Sequence, residues 1–148
     1  MPLLCEELTA RGIIADTFET AVAWEQLPHL YTSVKEATER AAREATGQEG
    51  LVSCRFTHVY PGGPAVYFTF SALGNKPALL DQFWAIKSAA TDALVKAGGT
   101  ITHHHAVGRD HRHWYDHERP ELFASALRSV KSALDPRWLL NPGVLIDP

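Results

Sequence analysis

The sequence predicts an α+β fold of ferredoxin-like type: an antiparallel sheet in the order βαββαβ, two helices on one of its faces, and further helices after it. Three observations carry that prediction. Aromatic and β-branched residues alternate with polar ones in separate short stretches, which is the period of a half-buried strand. Between them lie two long stretches whose apolar residues recur every three or four positions, as on an amphipathic helix. Glycine and proline stand at the joints.

The opening PLLCEELTARG reads as a short helix closed by Gly12. In GIIADTFETAVAW, Ile14, Phe18 and Val22 fall on one face and Thr17 and Glu19 on the other, which predicts a first strand. From Glu25 to Thr46, the apolar residues Leu27, Leu30, Tyr31, Val34, Ala37, Ala41 and Ala45 mark a helix that stops at Gly47. Leu51–Tyr60 and Ala65–Leu73 are two strands joined by the hairpin signal Pro61, Gly62, Gly63, Pro64. Matching their apolar faces sets Cys54 and Phe56 with Val66, Phe68 and Phe70, and leaves Arg55, Thr57, Tyr67, Thr69 and Ser71 on the opposite face. A second helix runs from Pro77 through Leu80, Phe83, Trp84, Ala90 and Leu94 to the stop at Gly98 and Gly99. Thr100 to His104 is then the fourth strand. A short polar helix at Asp110–His117 follows, and a longer one from Pro120 with Leu122, Ala126, Val130 and Leu134 at helical spacing, ended by Asp135 and Pro136. The apolar tail RWLLNPGVLI turns at Asn141, Pro142 and Gly143, a pattern natural to a segment that docks on another surface.

A chain of 148 residues is the size of one domain, and its 45% hydrophobic and 21% charged content is ordinary for a soluble globular protein. The net charge of −3, without a basic block, argues against nucleic acid or an anionic membrane as partner. Two cysteines, Cys5 and Cys54, make no disulfide framework. With no signal peptide and no long apolar run, a cytoplasmic chain is expected.

Chemistry concentrates in Gly98–His117, where six of the eight histidines stand with Arg109 and Arg112. Imidazole, with a pKa of about 6.5, serves near neutral pH as acid, base, anion donor or metal ligand. On a strand, Ile101, His103 and His105 share one face while Thr100, Thr102 and His104 share the other. Surface histidines without a role are one alternative. A zinc site is another, since His103 and His105 would chelate from one strand face and His113 with His117 stand at the i, i+4 spacing of helical ligands. No paired cysteine or HExxH carboxylate accompanies them, so no stoichiometric metal is expected. By the predicted phasing, Thr17, Glu19, Arg55, Tyr67, Thr69 and His104 gather on the sheet face away from the helices, which is too polar for a core.

DTFETA in the first strand, VYFTF in the third, GGTITHHHAVG after the second helix and DPRWLLNPGVL near the end resemble the C-terminal part of the alkyldihydroxyacetonephosphate synthases, within the FAD-linked oxidase family of vanillyl-alcohol-oxidase-like architecture. The resemblance runs from about Gly12 to Ile146. It implies a substrate-binding cap domain, residues 1–148, whose polar sheet face closes over FAD held mainly by an FAD-binding domain outside this chain. By position it implies Tyr67 and His104 as catalytic, and Thr17, Arg55, His103, His105 and Arg109 as contacts to a small phosphate or carboxylate substrate. His103, His104, His105 and Asn141 would lie at the cofactor. The implied reaction belongs to ether lipid synthesis: exchange of an acyl for an alkyl group on glycerone phosphate, a transferase activity without net redox. A cap for an oxidoreductase acting on a 2-hydroxy acid or alcohol is the near alternative, and a stand-alone binding module forming a homodimer through its polar sheet face the distant one. Nothing in the chain resembles the glycine-rich pyrophosphate loops of an FAD-binding domain, so the chain alone is expected to be inactive.

Overall fold

The computed structural model describes residues 2–148, with side chains from Glu6 onward. The chain divides into two compact units, one ending at His103 and the other spanning His104–Pro148. The first holds α1 (Pro2–Ala10), β1 (Ile13–Ala21), α2 (Leu27–Thr46), β2 (Leu51–Tyr60), β3 (Gly63–Leu73), one turn of 3-10 helix at Lys76–Ala78, and α3 (Leu79–Lys96). The second holds α4 (Arg112–Glu118) and α5 (Glu121–Leu134). No helix among the described residues is long and apolar enough to cross a membrane.

The three strands form one antiparallel sheet in the order β1-β3-β2. Its core face is the one expected. Ile14 and Phe18 of β1, Val52 of β2, and Val66, Phe68, Phe70 and Ala72 of β3 meet Leu30, Val34, Ala41 and Ala42 of α2 and Ile86, Ala90 and Leu94 of α3. Phe18 stacks on Phe68 with ring centroids 5.1 Å apart. Each such fully buried apolar side chain stabilises the fold by roughly 1.5–3 kcal/mol. Both helices lie on this one face, so neither α2 nor α3 covers the opposite one. A charged pair also enters from the helix side: Lys87 of α3 bonds Asp16 Oδ2 at 2.6 Å and the carbonyl oxygen of Thr17 at 3.2 Å.

The β2–β3 hairpin closes in two residues, Pro61 and Gly62, with Tyr60 opposite Gly63. Gly63 is obligatory there, because a Cβ would stand 1.9 Å from the carbonyl oxygen of Val22. Counting back from this turn, the register slips by one residue between Phe56 and His58, so Thr57 is the extra residue of a β-bulge. Thr57 therefore leaves the regular alternation that was expected to align it with Arg55.

The fourth strand is not formed. Residues 100–103 follow the outer edge of β1 without a ladder. Thr100 N–H donates to the Ala21 carbonyl at 3.2 Å, and the Thr20 hydroxyl donates to the Thr100 carbonyl at 2.7 Å. Beyond that point a side chain takes over from the backbone: Glu19 Oε1 accepts from the Thr102 hydroxyl at 2.8 Å and from His103 N–H at 2.5 Å. A carboxylate satisfies the donors that a ladder would otherwise pair, and the strand parity expected of His103, His104 and His105 does not apply.

In the second unit, Arg112 pairs with Asp116 at 2.8 Å and with Asp147 at 2.9 Å, and Arg119 pairs with Asp116 at 2.6 Å. Asp135 ends α5 by accepting from Lys131 and from the N–H groups of Leu139 and Leu140. Trp138 and Asn141 adopt positive φ of 52° and 48°, which bends the tail back on itself.

Candidate functional site

The centre of the sheet face opposite α2 and α3 is Tyr67, on the middle strand β3. Its cross-strand neighbours are Glu19 on β1 and Arg55 on β2, a carboxylate on one side and a guanidinium on the other. The next pair along places Thr17 and Ser53 on either side of Thr69. Tyr67 Oη donates to Thr17 Oγ1 at 3.0 Å, and the Arg55 guanidinium lies over the tyrosine ring at 4.7 Å from its centroid. Three of the residues expected from the sequence, Thr17, Arg55 and Tyr67, thus meet within one patch. The hydrogen bond aims the phenolic proton, and leaves the Thr17 hydroxyl proton to be donated in turn. Arg55, an exposed cation, sets the charge of the patch.

His103 joins the same face through Glu19. Besides the bond from its N–H, its ring Nδ1 lies 3.8 Å from Glu19 Oε2, and its Nε2 lies 3.3 Å from the Tyr60 hydroxyl. His58 packs edge-on against the His103 ring at 5.4 Å and stacks on Tyr60 at 5.9 Å. Neither His58 nor Tyr60 was expected here. Extending the period-two phasing of β2 from Cys54 puts both on the helix side; the bulge at Thr57 turns them over, so that His58 pairs with Ala65 on the face of Tyr67. The signal was present in the chain. A two-residue turn at Pro61 and Gly62 and the apolar phasing of Phe56 disagree by one residue, and an inserted residue is what reconciles them.

Cys54, on the helix side of β2, is no part of this patch; burial pushes its thiol up to about 11, the behaviour of a packing residue.

His104, His105, Arg109 and Asn141 belong to the second unit. The rings of His104 and His105 contact each other edge to face at 4.8 Å. Arg109 donates to the Pro142 carbonyl at 2.8 Å, next to Asn141 in its left-handed conformation, so the loop after the histidines is tied to the turn of the tail. His113 and His117 do meet edge to face across one helical turn, at 5.1 Å, and His117 Nδ1 is bonded to the backbone oxygen of His113 at 2.8 Å.

Hydroxyls, a guanidinium and an imidazole suit an anionic or carbonyl-bearing ligand, and the Tyr67–Thr17 pair suits transfer of a proton. Comparison with known proteins gives this patch a family. An alkyldihydroxyacetonephosphate synthase of Caenorhabditis elegans is 35% identical over 139 residues, which cover 92% of this chain and 23% of that protein. The synthase of Trypanosoma brucei brucei is 31% identical over 146 residues, 99% of this chain and 24% of that protein. A solved structure of an alkyldihydroxyacetonephosphate synthase superposes with a TM-score of 0.69 at 22% identity, over 96% of this chain and 23% of the other. The chain spans about a quarter of the length of these relatives. The sequence profile of the family described as FAD linked oxidases, C-terminal domain, matches residues 1–145. By that match the chain belongs to the FAD-linked oxidase C-terminal domain family.

Proposed function

We propose that this chain is the substrate-binding cap of an FAD-dependent enzyme of the alkyldihydroxyacetonephosphate synthase type, which exchanges the acyloxy group of a glycerone phosphate ester, released as a fatty acid, for the alkoxy group of a long-chain alcohol. The observation that carries the reading is the Tyr67–Thr17 hydrogen bond of 3.0 Å beneath Arg55, on the sheet face opposite α2 and α3. The donors of this face fit the polar edge of a flavin and a phosphate alike: hydroxyls at Thr17, Ser53, Tyr67 and Thr69, the Arg55 cation, and the His103 imidazole. FAD, when bound by an FAD-binding domain as partner, supplies the electron-accepting ring across which the exchange runs without net redox.

The chain's own residues do the rest. Arg55 and Thr17 hold the anionic group of the substrate. Tyr67 gives and takes a proton at Oη, with the Thr17 hydroxyl fixing its direction. His103, His104 and His105 border substrate and cofactor, His104 as the second proton-transfer group, and Arg109 and Asn141 close the cofactor side.

The test is Tyr67→Phe, and separately His104→Ala, in the complete flavoenzyme. Each lowers turnover at least about tenfold, some 1.4 kcal/mol of transition-state stabilisation, with little change in folding. Full activity in both variants, or net oxidation of a 2-hydroxy acid by the unmodified enzyme, overturns the reading. The chain alone, titrated with FAD and passed through gel filtration, is expected to emerge colourless; stoichiometric retained flavin contradicts the assignment of FAD to a partner domain.

A further inference from the structure

We propose that Glu19 is a positioning residue whose buried carboxylate holds His103 on the face of Tyr67. This rests on the flavoenzyme reading for its catalytic meaning, though not for its structural content.

A carboxylate whose side chain is 0% exposed costs several kcal/mol to desolvate unless donors meet it. Two of its donors come from one short segment. Thr102 Oγ1 and His103 N–H both bond Oε1, at 2.8 and 2.5 Å, and His103 Nδ1 lies 3.8 Å from Oε2. The bonds at Thr100 fix the start of the segment along β1, and those to Glu19 fix its end. A carboxylate suits the task because its side chain reaches beyond the backbone of β1, and one oxygen takes both a hydroxyl and a backbone N–H. The result is a histidine off the ladder, whose ring is presented to Tyr60 and His58 instead of being turned by strand alternation. Glu19 is also directly opposite Tyr67, so the group that sets the histidine and the group that moves the proton stand side by side on neighbouring strands. The other residues of β1 on this face, Ile13, Ala15, Thr17 and Ala21, carry no charge, so Glu19 brings the carboxylate of that row.

Two variants separate positioning from mere support. Glu19→Gln keeps the shape and an oxygen acceptor for both donors; Glu19→Ala removes them. In this chain, amide exchange by NMR should show His103 N–H protected in the wild type, exposed in Glu19→Ala and largely protected again in Glu19→Gln, with the Phe68 and Phe70 amides unchanged throughout. Equal exchange of His103 in all three forms, or loss of the Phe68 protection together with that of His103, overturns the proposal. In the flavoenzyme, Glu19→Ala lowers kcat at least about tenfold with KM within about twofold, and Glu19→Gln recovers most of it. If Tyr67→Phe is impaired and Glu19→Ala is not, the positioning role falls and the proposed function stands. If neither variant is impaired, the proposed function falls, and the exchange experiment still decides whether Glu19 holds His103.

Discussion

The unit ending at His103 and the unit from His104 onward are built by different physics. The first folds around a sheet with two helices over one face, and buries Phe18, Phe68, Phe70, Leu30, Ile86 and Leu94 almost completely. The second contains two helices, of which the longer buries a single side chain, Ala124, while Leu122 and Leu134 are 86% and 81% exposed. What holds it are ionic ties, Arg112 to Asp116 and Asp147, and Arg119 to Asp116. Their arginines are largely covered while the carboxylates reach solvent, and pairs with one partner in water stabilise far less than an aromatic core. The contrast teaches where each unit's order comes from: the first supplies its own in a buried core, and the second leaves the apolar stripe of α5 exposed.

The comparison breaks most visibly if the two are separated. Residues 2–103 alone should unfold in one cooperative transition by circular dichroism, and residues 104–148 alone should show none; a sharp transition in the second piece would undo the contrast. Next in size is the core itself. Phe68→Ala should cost about 3–5 kcal/mol in denaturant titration, while Leu122→Ala stays within about 0.5 kcal/mol of wild type.

A finer test uses Cys54. With its thiol held at about 11 against an ordinary 9.0, roughly one molecule in a hundred carries the thiolate at pH 9, compared with about half in the unfolded chain. Alkylation at Cys54, followed by peptide mass spectrometry, should therefore be tens of times slower in the native state. The linked effect on stability has one sign: a raised acid pKa favours the fold fully below 9.0, and that advantage is lost as pH climbs toward 11. The smallest effect belongs to the second unit. Lys131 and the Leu140 and Leu139 N–H groups hold the Asp135 carboxyl below its ordinary value, so its contribution is present above the normal carboxylate range and disappears as pH falls through the lowered value. Acid should fray the end of α5 before it disturbs the sheet, as amide shifts around Lys131 and Leu134 would report.

How much of this was legible follows the same division. Alternation in β3 was decisive because Val66, Phe68, Phe70 and Ala72 make its helix side apolar throughout, and Ile14 and Phe18 set the phase of β1 although Asp16 and Thr20 share their row, so Thr17, Arg55 and Tyr67 could be placed together from the sequence. The helices were legible as well: α2 starts at Leu27, two residues after the expected Glu25, and a 3-10 turn at Lys76–Ala78 precedes α3. The fourth strand was misread because TITHHH alternates well enough for a strand, and nothing local says that Glu19, over eighty residues earlier, will claim the backbone donor of His103. His58 and Tyr60 were missed for a reason internal to β2, the one-residue slip at Thr57. Periodicity reads regular elements; an insertion or a side-chain bond over long range must be found by conflict between two regular readings.

That slip reaches beyond the patch it builds. In the order β1-β3-β2, β2 is the outer strand, and on that side among the described residues no further strand adds to it. An edge of evenly spaced N–H and C=O groups invites a strand from another molecule, and here Leu51, Phe56, Val59 and Tyr60 are all exposed along it. The extra residue at Thr57 interrupts the spacing midway, leaving two short runs out of phase with any straight template. The same wrinkle that turns His58 and Tyr60 toward His103 thus guards the sheet against growing into an aggregate.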